Sequence, residues 1–66
     1  MEALLIKNTP ESFAMFLVAL EIPFRYSYGE YIIENTHDEC KFKAFCIRKG
    51  MRLADIDAME ISITNI

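Results

Sequence analysis

Apolar and polar positions follow two different periods along this 66-residue chain. Residues 3–7 open with the run Ala3-Leu4-Leu5-Ile6, which has the length and character of a buried strand. Phe13, Phe16, Leu17 and Leu20 then fall at i, i+3, i+4 and i+7, the spacing of one buried helical face. Thr9 is a good N-cap, Pro10 suits the first helical position and Glu11 the first turn, so a helix is expected to begin at Pro10. Pro23 ends it near Glu21. Residues 22–28, rich in aromatic side chains, read as a strand. Gly29-Glu30 then fits a type II′ hairpin loop, placing Tyr28 opposite Tyr31, Tyr26 opposite Ile33 and Arg25 opposite Glu34.

The second half echoes the first. Leu5-Ile6-Lys7-Asn8-Thr9 is matched by Ile32-Ile33-Glu34-Asn35-Thr36, and each run leads through acidic residues to Phe-x-x-Phe. Beyond that the match holds at an offset of 29, pairing Leu17 with Cys46, Val18 with Ile47 and Ile22 with Met51. The repeat spans about residues 3–28 and 31–57. Thr36 with Glu39 forms a capping box, and Arg48, Lys49 and Gly50 are suited to a helix C-terminus. Cys40, Phe42, Ala44 and Cys46 alternate with Lys41 and Lys43 as a strand would, but the two caps and the echo favour a helix. From Met51 the chain returns to strand, with Met59, Ile61 and Ile63 alternating against Glu60, Ser62 and Thr64. The resulting order, β-α-β-β-α-β, is the ferredoxin-like split βαβ plan: one α+β domain over residues 1–66, with a four-stranded antiparallel sheet and two helices on one face. That plan hosts many unrelated activities, so it assigns none.

Composition narrows the class. Hydrophobic residues make up 53% and charged residues 26%, which describes a folding chain rather than a disordered one. The longest apolar run, residues 13–20, falls well short of the roughly 20 residues of a membrane helix, so no membrane association is expected. Two cysteines are too few for a disulfide-stapled secreted scaffold, and Cys40 and Cys46 are spaced too badly to bridge each other on a helix or a strand. A reduced, cytoplasmic protein is the expectation. The net charge of −3 argues against general affinity for nucleic acid or anionic lipid. That charge is unevenly spread: Lys41, Lys43, Arg48, Lys49 and Arg52 form an acid-free block, which is the one place for anion or nucleic-acid contact, through Lys41, Arg48, Lys49 and Arg52.

Catalytic chemistry finds little material. There is one histidine, no Gly-rich phosphate loop, and no spaced ligand pair of the CxxC or HxxxH kind. His37, Asp38, Glu39 and Cys40 are consecutive and point in different directions, and Asp55 and Asp57 read as a solvated strand or turn. No enzyme activity, cofactor or metal is expected. Phe24, Tyr26, Tyr28 and Tyr31 resemble a base-stacking platform in composition, but the solvated character of Arg25, Ser27 and Glu34 turns that aromatic face towards the helices.

The first helix does not suit an isolated monomer. Met15 and Val18, with Ala14 and Ala19, make the side opposite Phe13 and Leu17 apolar too, and a helix apolar all round has to be covered on more than one side. The expected function is therefore that of a small non-catalytic interaction module. It would be an inhibitor, adaptor or regulator of the kind phages and mobile elements also use, binding a larger protein or a second copy through Met15, Val18, Ile22, Tyr28 and Tyr31. The alternative is a nucleic-acid-binding module using the basic stripe of the second helix.

Overall fold

The computed structural model describes residues 1–66. Strand β1 (Glu2–Lys7) lies inside a four-stranded antiparallel sheet, between β3 (Glu30–Glu34) and β4 (Glu60–Asn65). The short strand β2 (Arg25–Ser27) pairs only with β3, so the strands lie in the order β2-β3-β1-β4. The inner position of β1 accounts for its apolar run, since Ala3, Leu4 and Ile6 are fully buried. Three helices complete an α+β chain: α1 (Phe13–Ala19), α2 (Glu39–Arg48) and α3 (Leu53–Ala58).

Register assigns the two faces. Leu4 stands opposite Ile33 and Ile63, and Ile6 opposite Tyr31 and Ile61, so these side chains share one face. Against it pack Phe13 and Leu17 of α1, Phe42 and Cys46 of α2, Ile56 of α3 and Met59, forming the single core. The ring of Phe13 meets Tyr31 edge-on at 5.0 Å between centroids. All three helices thus cover the same side. On the other side Leu5 faces Ile32, bracketed by the ion pairs Lys7–Glu30 at 3.2 Å and Arg25–Glu34 at 2.7 Å.

Several expected boundaries move, each for a local reason. Helix α1 begins at Phe13 and not at Pro10: Asn8 turns the chain at a φ of 55°, its side-chain Nδ2 donates to the Ala58 carbonyl at 2.8 Å, and the Phe13 amide donates back to the Pro10 carbonyl at 3.0 Å. Residues 10–13 are thereby closed as a turn ahead of the helix. The α2 cap is Asp38, whose carboxylate accepts the Lys41 amide at 3.0 Å; Thr36 lies outside the helix. Segment 22–28 keeps only three residues as strand, because Pro23 lacks the N–H a ladder needs.

The hairpin is also shifted. Tyr26 stands opposite Tyr31 and Ser27 opposite Glu30, so the loop is Tyr28-Gly29, with φ values of 50° and 80°: both positive, as in a type I′ turn. The shift by two residues keeps the paired strand residues on their expected faces but takes Tyr28 off the sheet into the turn and leaves Tyr26 largely exposed on the edge strand, so of the aromatic face expected beneath the helices only Phe24 and Tyr31 pack there. Arg25 accordingly still reaches Glu34, now diagonally from a position opposite Ile32.

The strand expected from Met51 is overturned over Leu53–Ala58, which forms α3. Leu53, Ala54 and Ala58 are good helix formers, Ile56 supplies one buried side chain, and Arg52 Nε donates to Asp55 at 3.2 Å across the first turn. Asp55 and Asp57 are therefore on a helix and do not share a strand face. Strand structure resumes only with Glu60.

Helices α1 and α2 end alike. The Ile22 amide donates to Leu17 and the Met51 amide to Cys46, each at 3.0 Å, the long bond of a Schellman motif, with Glu21 and Gly50 at positive φ. The two motifs lie 29 residues apart.

Candidate interaction surface

Helix α1 carries no charged residue between Phe13 and Ala19. Phe13 and Leu17 are directed into the core, and 3.6-residue geometry sends Met15 and Val18 to the opposite side, where they are 77% and 65% exposed. Nothing within the chain covers them. Ile22, just beyond the α1 C-terminus, is half-buried and packs against the core edge. Tyr28 is 100% exposed at the hairpin tip, held there by a backbone conformation that side-chain-bearing residues rarely adopt.

Tyr31 is a correction. It was expected near the hairpin tip and accessible, but it is only 7% exposed: its ring lies beneath Phe13 and between Phe24 and Tyr26, at 5.5 and 4.8 Å. With the turn at Tyr28-Gly29, Tyr31 is already the second residue of β3, pointing to the helix side. It belongs to the core. The other four expected contact residues are spread from the outer side of α1 to the hairpin tip.

The basic residues fall into two groups. Arg52 is tied to Asp55, Lys7 to Glu30 and Arg25 to Glu34, whereas Lys41, Lys43, Arg48 and Lys49 of α2 and its C-cap make no ion pair. Lys41 and Arg48 line one groove of about 370 Å³, whose floor is formed by Ile22, Ile33, Phe42 and Phe45. Glu34 and Thr36 complete its wall, and the Glu34 carboxylate is already engaged by Arg25. Arg48 and Lys49 also lie over the Phe45 ring, at 6.0 and 5.7 Å from its centroid, a cation–π arrangement that holds both charges near the groove. Phe45 and Ile33 had no place in the sequence-derived surface; only the packing of α2 beside the end of α1 brings them together. A larger depression of about 600 Å³ at the other end of the helix pair includes the mutually paired Arg52 and Asp55 and the unpaired Glu11, so it presents no free positive charge.

Cys40 is exposed and Cys46 buried, both as free thiols, and burial pushes the Cys46 thiol up to about 11. No three His, Cys, Asp or Glu residues stand close enough together to hold a metal ion. No helix is long and apolar enough to cross a membrane. No protein family, curated protein or solved structure matches the chain.

Proposed function

We propose that this protein is a small non-catalytic interaction module that works by binding a protein surface, as an inhibitor, adaptor or regulator. The observation that carries the reading is the outer side of α1, where Met15 and Val18 stand in solvent on a helix without a single charge. Other large apolar side chains, Leu53 and Ile63 among them, are also exposed, but Met15 and Val18 are neighbours on one side of one helix, and adjoining exposed apolar side chains mark contact sites. Tyr28 adds a second support: its strained, fully exposed position contributes nothing to the core, and strain of that kind collects where function requires it.

The strand order and the placement of all helices on one sheet face support a ferredoxin-like split βαβ arrangement, with α3 inserted before the last strand. The two free thiols fit a reducing, cytoplasmic setting. The second reading, a nucleic-acid-binding module, draws on the four unpaired cations of α2 and its C-cap. It predicts binding to oligonucleotides that weakens with salt at a slope of about three to five phosphate contacts.

The test compares the native chain with the double variant Met15→Glu, Val18→Glu, by light scattering at high concentration and by affinity capture from the native host. The interaction reading expects a partner or a dimer that the double variant loses while its melting temperature is kept. A native chain that stays monomeric and captures the same proteins as the variant would remove the support of the α1 surface.

A further inference from the structure

We propose that the groove between the end of α1 and α2 takes an acidic peptide segment of a protein partner, one in which two carboxylates flank an apolar side chain. This rests on the interaction reading above and specifies the partner's chemistry. The floor of Ile22, Ile33, Phe42 and Phe45 offers an apolar recess, and its volume of about 370 Å³ is enough for one or two side chains. Lys41 and Arg48 stand on its α2 side, seven residues and therefore about 10 Å apart along the helix. Neither has a carboxylate partner within the chain. The one acid in the wall, Glu34, is neutralised by Arg25 at 2.7 Å, so the groove presents two free positive charges around an apolar centre.

Charge complementarity selects the occupant. On a chain of net charge −3, a long polyanion is repelled by the acidic remainder, whereas a short segment bringing two carboxylates meets only the basic stripe. An apolar recess also favours a leucine or an aromatic side chain over a phosphate backbone. Two carboxylates about 10 Å apart are seven residues apart on a helix or three apart on an extended strand.

The probe is a capped helix-forming peptide with two glutamates seven residues apart and two leucines between them on the same face, titrated into isotopically labelled protein and followed by amide chemical shifts. Saturable shifts are expected at Thr36, Lys41, Phe42, Phe45 and Arg48. Binding is expected to weaken about tenfold for Lys41→Gln with Arg48→Gln, the loss of two charge-assisted contacts, and likewise for a peptide with serines in place of the leucines. Unchanged amide shifts outside the groove and an unchanged melting temperature show that the double variant is folded. The proposal is overturned by any of these results: no shifts in the groove; undiminished binding by the Lys41→Gln, Arg48→Gln variant; equal binding of the serine peptide; tighter saturation of the same residues by a thymidine oligonucleotide of similar charge; or the same shifts on concentrating the protein alone, which would put a second copy in the groove. Failure here is distinguishable from failure of the broader reading. A partner lost by Met15→Glu, Val18→Glu but kept by the Lys41, Arg48 variant removes the groove and leaves the interaction module.

Discussion

Tyr28 occupies the first position of a type I′ turn at a φ of 50°, where asparagine or glycine is at ease and a large side chain is not. Its ring is wholly in solvent, so no packing offsets the strain. Tyr28→Asn is therefore expected to stabilise the protein by about 1 kcal/mol, raising Tm by about 5 °C, readable by thermal unfolding. A lower Tm would show that the ring makes a stabilising contact in solution. The same substitution is expected to weaken partner binding if the strained tyrosine is a contact residue, a trade of stability against function. At Cys46 the argument concerns pH. Its folded thiol is raised from 9.0 to about 11, so between these values the folded state holds a proton that the unfolded chain releases. Stability from this group is fully present below pH 9 and falls as pH rises towards 11, by up to about 3 kcal/mol. Denaturant unfolding across that range should be steeper in pH for the native chain than for Cys46→Ala. At pH 8, a thiol reagent should modify only Cys40 until the chain is unfolded.

The elements differ in how much of their making is local, and helix α2 shows this at its start. Asp38 accepts the Lys41 amide at 3.0 Å, so Asp38→Ala is expected to cost about 1 kcal/mol by urea unfolding. Thr36→Ala should cost less than half of that, since its hydroxyl caps nothing; equal losses would restore the capping box read from Thr36 and Glu39. The wrong cap and the correct helix have a common origin, because Thr36, Asp38 and Glu39 all favour a helix start and only the path of the loop after β3 decides among them. Strands β1 and β3 and the alternation from Met59 were legible because apolar position alone specifies them. Helix α3 was not: with six residues and one buried side chain, Ile56, it has too short a period to separate from a strand, and its docking onto the core holds it. In the interaction surface, Met15 and Val18 were readable from helical spacing. Tyr31 was misplaced because the turn lies one residue earlier than expected and so shifts the strand pairing by two, and the groove was invisible because Ile22, Ile33 and Phe45 come from three separate segments.

At the scale of the whole molecule, the sheet order and the two half-chains imply a strong test of the architecture. The strands are arranged β2-β3-β1-β4, with β1 and β4 already antiparallel neighbours and the chain ends joined by a hydrogen bond from the Ile66 amide to the Met1 carbonyl at 2.9 Å. Suppose Ile66 is joined to Met1 by about four glycine-rich residues and the chain is opened between Tyr28 and Gly29. The new succession is β3, α2, α3, β4, β1, α1, β2, again two helical crossovers on either side of two consecutive strands, with α3 now in the first crossover instead of the second. Renamed in that order, the strands retain the same arrangement across the sheet, because the exchange of halves maps the topology onto itself. Both Schellman ends, the Asp38 cap and the whole core are kept, and only the Tyr28-Gly29 turn is lost. A domain of this length has about 3–10 kcal/mol of stability, so a loss of about 2 kcal/mol from opening a tight turn leaves it folded. The permutant is expected to show the parent's far-ultraviolet circular dichroism and a cooperative melt. A control opened between Phe45 and Cys46, inside α2, should not fold, because it breaks the helix that supplies two core side chains. An unfolded permutant beside a folded parent would mean that the β2–β3 hairpin is indispensable and that the two halves, however similarly capped, do not contribute equivalently to the fold.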